Sequence, residues 1–278
     1  MAGIVVSRAY AMSEVARQRA NQPILGWMSY ASFYTLSATS QTEAYPATNL
    51  ANPSTANRWE SDSTSEQFVT VMFGVEREVD YVGIARHNLG SGAATVSIEG
   101  LLFGGDPENS ADWFEIFEPL ILPDDGPRIF RFVPEFLIGL RLRIVPAGNK
   151  PRAAVLKVGK LTTVKWGLPP GHKPIKYARS VNRIGGRAES GDYLGSVIAG
   201  ASLSTTIDLV FLEPDWYRTV LEPFRLACED ENPFFWAWAP ARYPDEVGYC
   251  WVTNSPMPTI AHTNGMIEIS FAIDGIAL

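Results

Sequence analysis

The feature that most constrains this chain is a two-residue alternation of apolar and polar side chains. Leu140, Leu142 and Ile144 fall on one face of a strand, and Arg141 and Arg143 on the other. Leu203, Thr205, Ile207, Leu209 and Phe211 repeat the period, as do Ile267, Ile269, Phe271 and Ile273. Such alternation specifies sheets with one dry and one wet face. Further β-branched and aromatic runs cover residues 68–73, 79–84, 95–99, 113–117, 128–133, 154–161, 234–238 and 247–252. Gly and Pro clusters at 90–92, 104–107 and 123–127 separate several of them. Many short strands at this spacing predict sandwiches or jelly rolls.

One segment breaks the β pattern. Glu213-Pro214-Asp215-Trp216 opens a helix with Pro at its first position, and Tyr217, Val220, Leu221, Phe224 and Cys228 form an apolar stripe. Pro223 lies inside that stripe and either kinks or restarts the helix. A second, short polar helix is expected between Met12 and Ala20, or else an arm that orders on a neighbour. Residues 166–174 hold three prolines and two glycines and read as a boundary. The expected organisation is an N-terminal arm (1–26), a jelly roll (27–165), a linker (166–177) and a C-terminal β-sandwich with one flanking helix (178–278).

Composition narrows the function. Two cysteines exclude a disulfide scaffold. Cys228 and Cys250 sit among apolar neighbours and read as buried free thiols. No run approaches the 18 apolar residues that would mark a membrane-spanning helix. The apolar run at 2–6 is too short for a signal-peptide core, so synthesis in a cytoplasm without a signal peptide is expected. The net charge is −7, which argues against general nucleic-acid binding. Yet residues 141–187 carry twelve Lys or Arg and no acid, leaving 11 basic against 30 acidic residues elsewhere. Arg141, Arg143, Lys157, Lys160 and Lys165 are therefore candidates for an assembly interface with an acidic partner or a second copy. A solvated face is the plainer alternative.

Catalytic patterns are missing. His87, His172 and His262 form no metal-ligand spacing, and there is no nucleophile elbow or phosphate loop. The carboxylates at 106–125 lack any accompanying motif, so no catalytic residue, resident metal or cofactor is expected, and the chain is read as a non-enzyme. A glycoside hydrolase is the last of three functional alternatives.

The loop Asn52-Pro53-Ser54-Thr55-Ala56-Asn57-Arg58-Trp59 precedes the strand at 68–73. Trp113-Phe114-Glu115-Ile116, Leu140-Arg141-Leu142-Arg143-Ile144 and Val158-Gly159-Lys160-Leu161 follow in order. Over residues 30–165 this set resembles the discoidin and wider galactose-binding-like jelly-roll family. The resemblance implies that Arg58, Trp59 and Trp113 are candidates for binding a host surface glycan, through a guanidinium fork and stacking faces. The reading preferred here makes Trp59 a core plug with Arg58 as its partner. Some members of that family hold calcium, and Asn49, Asn52 and Asp62 could supply oxygens, but their spacing matches no calcium motif.

Residues 178–278 give a strand, a helix, an aromatic strand, Val247-Gly248-Tyr249-Cys250-Trp251-Val252 and a closing strand. This order resembles phage tail proteins of the tube and distal-tail type. It implies a structural component of a virion tail tip: a homo-oligomeric ring meeting tube, hub and tape-measure proteins, with the jelly roll touching neighbours or a glycan. The alternative is a carbohydrate-binding attachment protein.

Overall fold

The computed structural model describes residues 3–13, 19–261 and 265–277. In chain order the first strands are β1 (Ile4–Val6), β2 (Ile24–Gly26), β3 (Thr35–Ala38), β4 (Trp59–Glu60), β5 (Gln67–Ala85), β6 (Thr95–Leu101), β7 (Trp113–Ile121) and β8 (Arg128–Val145). They are followed by β9 (Arg152–Ala153), β10 (Val155–Gly159), β11 (Thr162–Thr163), β12 (Arg179–Arg187), β13 (Tyr193–Leu212), β14 (Phe234–Ala237), β15 (Val247–Val252), β16 (Thr259–Ile260) and β17 (Ile267–Ile276). The chain is mainly β, as its alternation requires.

The N-terminal half is a jelly-roll sandwich made possible by two long strands. The first part of β5 pairs with β3 and with the end of β8, and its second part pairs with β10 and the start of β8. The register shifts between Met72 and Arg77, where Gly74 takes φ 71°. That left-handed residue lets β5 cross from one layer to the other. Val69, Val71, Leu140, Leu142 and Ile144 then face Val82, Ile84, Phe130, Leu156 and Val158 across one core.

The C-terminal half is an antiparallel sheet of order β11-β2-β14-β15-β17-β13-β12. On one face lies a helical run over residues 214–229, whose Tyr217, Leu221, Phe224 and Cys228 are buried against Phe234, Trp236 and Phe271. A π turn at Tyr217–Leu221 precedes Pro223 and places it in the first turn of the helix Glu222–Glu229, where its missing N–H costs nothing. The helix runs past its proline without a break.

The other face of this sheet covers the inner layer of the jelly roll. Phe235, Ala237, Val247 and Tyr249 pack on Tyr81, Ala85, Ile129 and Val155. The layer formed by β10, β5 and β8 is thus buried on both sides. That explains a departure from simple alternation: the charged side chains of Arg131 and Lys157 are buried because a second sheet closes over them.

Sheet membership also crosses the expected boundaries. Residues 4–6 pair in parallel with β8, and residues 24–26 and 162–163 join the C-terminal sheet, so part of the expected arm is a strand in each half. The first helix is Arg8–Met12, capped by the Ser7 hydroxyl; the rest of the segment expected to be helical lies partly outside the described residues, as does His262. The hairpin β12–β13 extends well before Ser202, where the sequence pattern began. Gly185 pairs with Ser196 inside the ladder, whereas Gly191, at φ 89°, lies in the turn that closes the hairpin.

Candidate functional site

The three aromatic and guanidinium candidates are engaged internally. Trp59 is 1% exposed and its indole donates to the Ser40 carbonyl, so it plugs the core. Arg58 lies 4.1 Å over the Tyr45 ring and pairs with Glu60 at 3.0 Å. Trp113 is 8% exposed, donates to the Pro107 carbonyl, and is covered by the Arg141 guanidinium at 4.4 Å. Neither Trp offers a free stacking face. Asn49 and Asn52 spend their side chains on the loop itself, the first donating to the Arg58 carbonyl and the second accepting from the Ser54 amide.

The expected basic interface is likewise neutralised within the chain. Arg141 pairs with Glu99 at 2.5 Å, Arg143 with Glu66 at 2.6 Å, Lys160 with Glu78 at 2.5 Å and Lys165 with Glu213 at 2.7 Å. For these four, carboxylates from distant parts of the chain supply the counter-charge that the run itself lacks. Four of the five candidates therefore already have a carboxylate partner within the chain.

Lys157 points elsewhere. It leaves β10 toward the C-terminal half, where its ammonium donates to the Trp27 carbonyl at 3.1 Å and to Asn232 Oδ1 at 2.7 Å. It lines a cleft of about 400 Å³ with Ser29, Phe33, Asn52, Asp230, Glu231 and Asn232. The residues come from the turn after β2, the loop before β4, β10 and the end of the helix. Phe33 is 81% exposed. The Ser29 hydroxyl is buried without a partner. Glu231 holds φ 54° just after the helix, a position where glycine would be unstrained. That turn carries Asn232 back to Lys157.

The cleft therefore presents one open aromatic face, two carboxylates and an unpaired hydroxyl. Beside them lie the Asn52 amide, which accepts from Ser54, and the Asn232 amide and Lys157 ammonium, which bond to each other and to the Trp27 carbonyl. Burial pushes the Lys157 ammonium down to about 7 and the nearby Cys228 thiol up to about 12. Among the described residues no cluster of His, Cys, Asp and Glu could hold a metal ion. Buried His87 has its Nε2 3.0 Å from the Gly126 carbonyl, and His172 packs between Trp236 and Trp238. Both cysteines are free and buried.

Lys157 makes a pH prediction. Its ammonium ordinarily titrates near 10.5 and in the fold near 7, so between these values the unfolded chain binds more protons. Stability then rises with pH across that window, by at most about 1.4 kcal/mol per unit. Urea midpoints should climb from pH 7 to 8.5 in the native protein and stay flat in Lys157→Met. Equal slopes for the two proteins would contradict the burial of this charge.

Of this site the sequence reading named only Lys157, for a different role, and Asn52, as a loop oxygen. The adjacent carboxylates Asp230 and Glu231, just after the helix, are a signal that the reading passed over. Phe33 carried no signal.

No protein-family model matches the chain, and no curated protein matches it. Among solved structures it is similar to chitosan-binding module 1 of a chitosanase/glucanase from Paenibacillus sp. IK-5, at 18% identity over 48% of this chain and 98% of that one, with a TM-score of 0.41. It is similar to a family 32 carbohydrate-binding module of Clostridium perfringens NanJ in complex with galactose, at 15% identity over 48% and 98%, with a TM-score of 0.40. A third is a C. perfringens module, CpGH89CBM32-5, in complex with GalNAc-β-1,3-galactose, at 13% identity over 47% and 97%, with a TM-score of 0.40.

Proposed function

We propose that the chain is a non-catalytic carbohydrate-binding protein and that the cleft around Lys157 takes the sugar. The observation that carries this reading is the open face of Phe33 beside Asn52, Asp230, Glu231 and Asn232. A pyranose has an apolar C–H face that packs on an aromatic ring and an edge of hydroxyls that need planar acceptors and donors. The unpartnered Ser29 hydroxyl adds one more group that a ligand would satisfy. A glycan array followed by titration calorimetry tests the reading, with chitotriose, galactose and GalNAc-β-1,3-galactose in the panel. Phe33→Ala should weaken binding by about tenfold or more, equivalent to 1.4 kcal/mol, while the exposed position leaves the fold intact. Silence across the array, or binding indifferent to Phe33, refutes it.

A second reading, a tail-tip structural protein assembling into a ring with tube, hub and tape-measure partners in a virion, is favoured by one other observation. The hairpin β12–β13 exposes Ile184, Leu194, Val197 and Ile198. A soluble monomer rarely leaves such a row uncovered. Negative-stain microscopy of the purified chain would show rings if this reading is right and single particles if it is not.

A further inference from the structure

Arg131 is 5% exposed, and its surroundings do not account for its charge. It leaves β8 on the face turned toward the C-terminal sheet, and its guanidinium stacks on the Tyr10 ring at 4.6 Å. Its Nε is buried without a partner, and no side-chain nitrogen of Arg131 donates a hydrogen bond to any described residue. Tyr10 is 6% exposed, and its hydroxyl too is buried without a partner. Asp80 is the carboxylate that feels the Arg131 charge, but it forms no ion pair with Arg131 among the described residues. Its Oδ1 instead accepts from the Leu161 amide at 2.7 Å.

A buried guanidinium with idle donors is costly unless something accepts from it. Both side chains border a recess of about 530 Å³, separate in its lining from the Phe33 cleft. Most of its described lining is apolar: Ile4, Val5 and Val6 of β1 on one side, Pro240, Ala241 and Pro244 of the β14–β15 loop on the other, with Ala11 and Ala20 beside them. Among the described lining residues Arg131 and Tyr10 are the polar groups.

We propose that this recess binds an organic monocarboxylate, with the anion on Arg131 and Tyr10 and an apolar body along β1 and the prolines. A guanidinium presents a fork that matches a carboxylate, and the tyrosine hydroxyl supplies a further donor. The apolar walls favour a hydrocarbon body over water. Asp80 offsets part of the positive charge, so a singly charged ligand suits the site better than a multiply charged one such as inorganic phosphate.

Titration calorimetry with octanoate, octanol and inorganic phosphate at pH 7.5 tests this. Octanoate should bind saturably and at least about tenfold more tightly than octanol or phosphate. Arg131→Gln should abolish the preference for octanoate over octanol. Because that variant removes a buried group and can unfold, Val6→Glu serves as the second. Val6 is partly exposed on the wall of the recess, so the new carboxylate repels the ligand's anion without disturbing the core. Octanoate and octanol binding equally overturns the proposal, as does phosphate matching octanoate, no binding at all, or undiminished octanoate binding by folded Val6→Glu.

Discussion

Replacing Phe271 by Asp should leave no stably folded C-terminal half. Phe271 of β17 is buried opposite Ile207 of β13, with the Phe224 ring of the helix 5.4 Å away. The substitution removes the aromatic packing, at about 3–5 kcal/mol, and puts an unpaired carboxylate among Ile207, Ile269 and Ile273. Together these reach the order of a domain's whole stability, about 5–15 kcal/mol. The damage should spread, because the same sheet covers the inner layer of the jelly roll with its other face. Thermal melts followed by far-ultraviolet and aromatic circular dichroism should show a non-cooperative or aggregated protein. Phe271→Leu, which keeps the face apolar, should still melt cooperatively. A soluble Asp variant with a sharp transition would mean that this face is not the dry one.

The alternation alone carries this prediction, and it shows which parts of the fold a linear pattern encodes. A strand that is dry on one side writes its orientation in period two, so β8, β13 and β17 were legible. β14 is buried on both faces, with Phe234 and Trp236 toward the helix and Phe235 and Ala237 toward the jelly roll. A run that is apolar throughout names no face, so the second interface could not be read from it. The buried charges failed for the same reason. Arg131 and Lys157 look wet along their own strands, and only a sheet formed by residues far away makes them dry. The ion pairs of Arg141 and Lys165 likewise depend on Glu99 and Glu213, which the chain brings close only after folding.

The candidate site was less legible than the fold because its residues are scattered over two hundred positions. Phe33 follows β2, Asn52 belongs to the loop before β4, and Asp230 to Asn232 follow the helix. None shares a motif with another. Trp59 and Trp113 were the obvious aromatic candidates, and both are consumed by structure: one as the plug of the sandwich, the other beneath Arg141. A large aromatic in a β-rich sequence is worth more to a core than to a surface. An exposed ring such as Phe33 has no sequence signature, since exposure is a property of what fails to cover it.

The joint between the halves supplies the other large expected effect. Gly83 of β5 lies directly under the Phe235 ring: a Cβ built there would stand 2.4 Å from Cε2 and 2.6 Å from Cδ2. Both residues belong to the face where the sheets meet, and the ring is fully buried. Gly83→Val should therefore force the sheets apart, at a cost of about 3 kcal/mol or more. The loss should show first as separation of the halves, with faster proteolysis in the Pro/Gly segment 166–174, which is largely exposed already. Phe235→Ala alone should also destabilise, by leaving a cavity, at about 3–5 kcal/mol. The double variant separates steric conflict from a general weakening of β5. If the clash is the cause, the valine fills the space the ring vacates, and the double variant is more stable than the sum of the two losses predicts. Strictly additive losses would place the defect of Gly83→Val within β5 itself and remove the argument that Gly83 exists to admit Phe235.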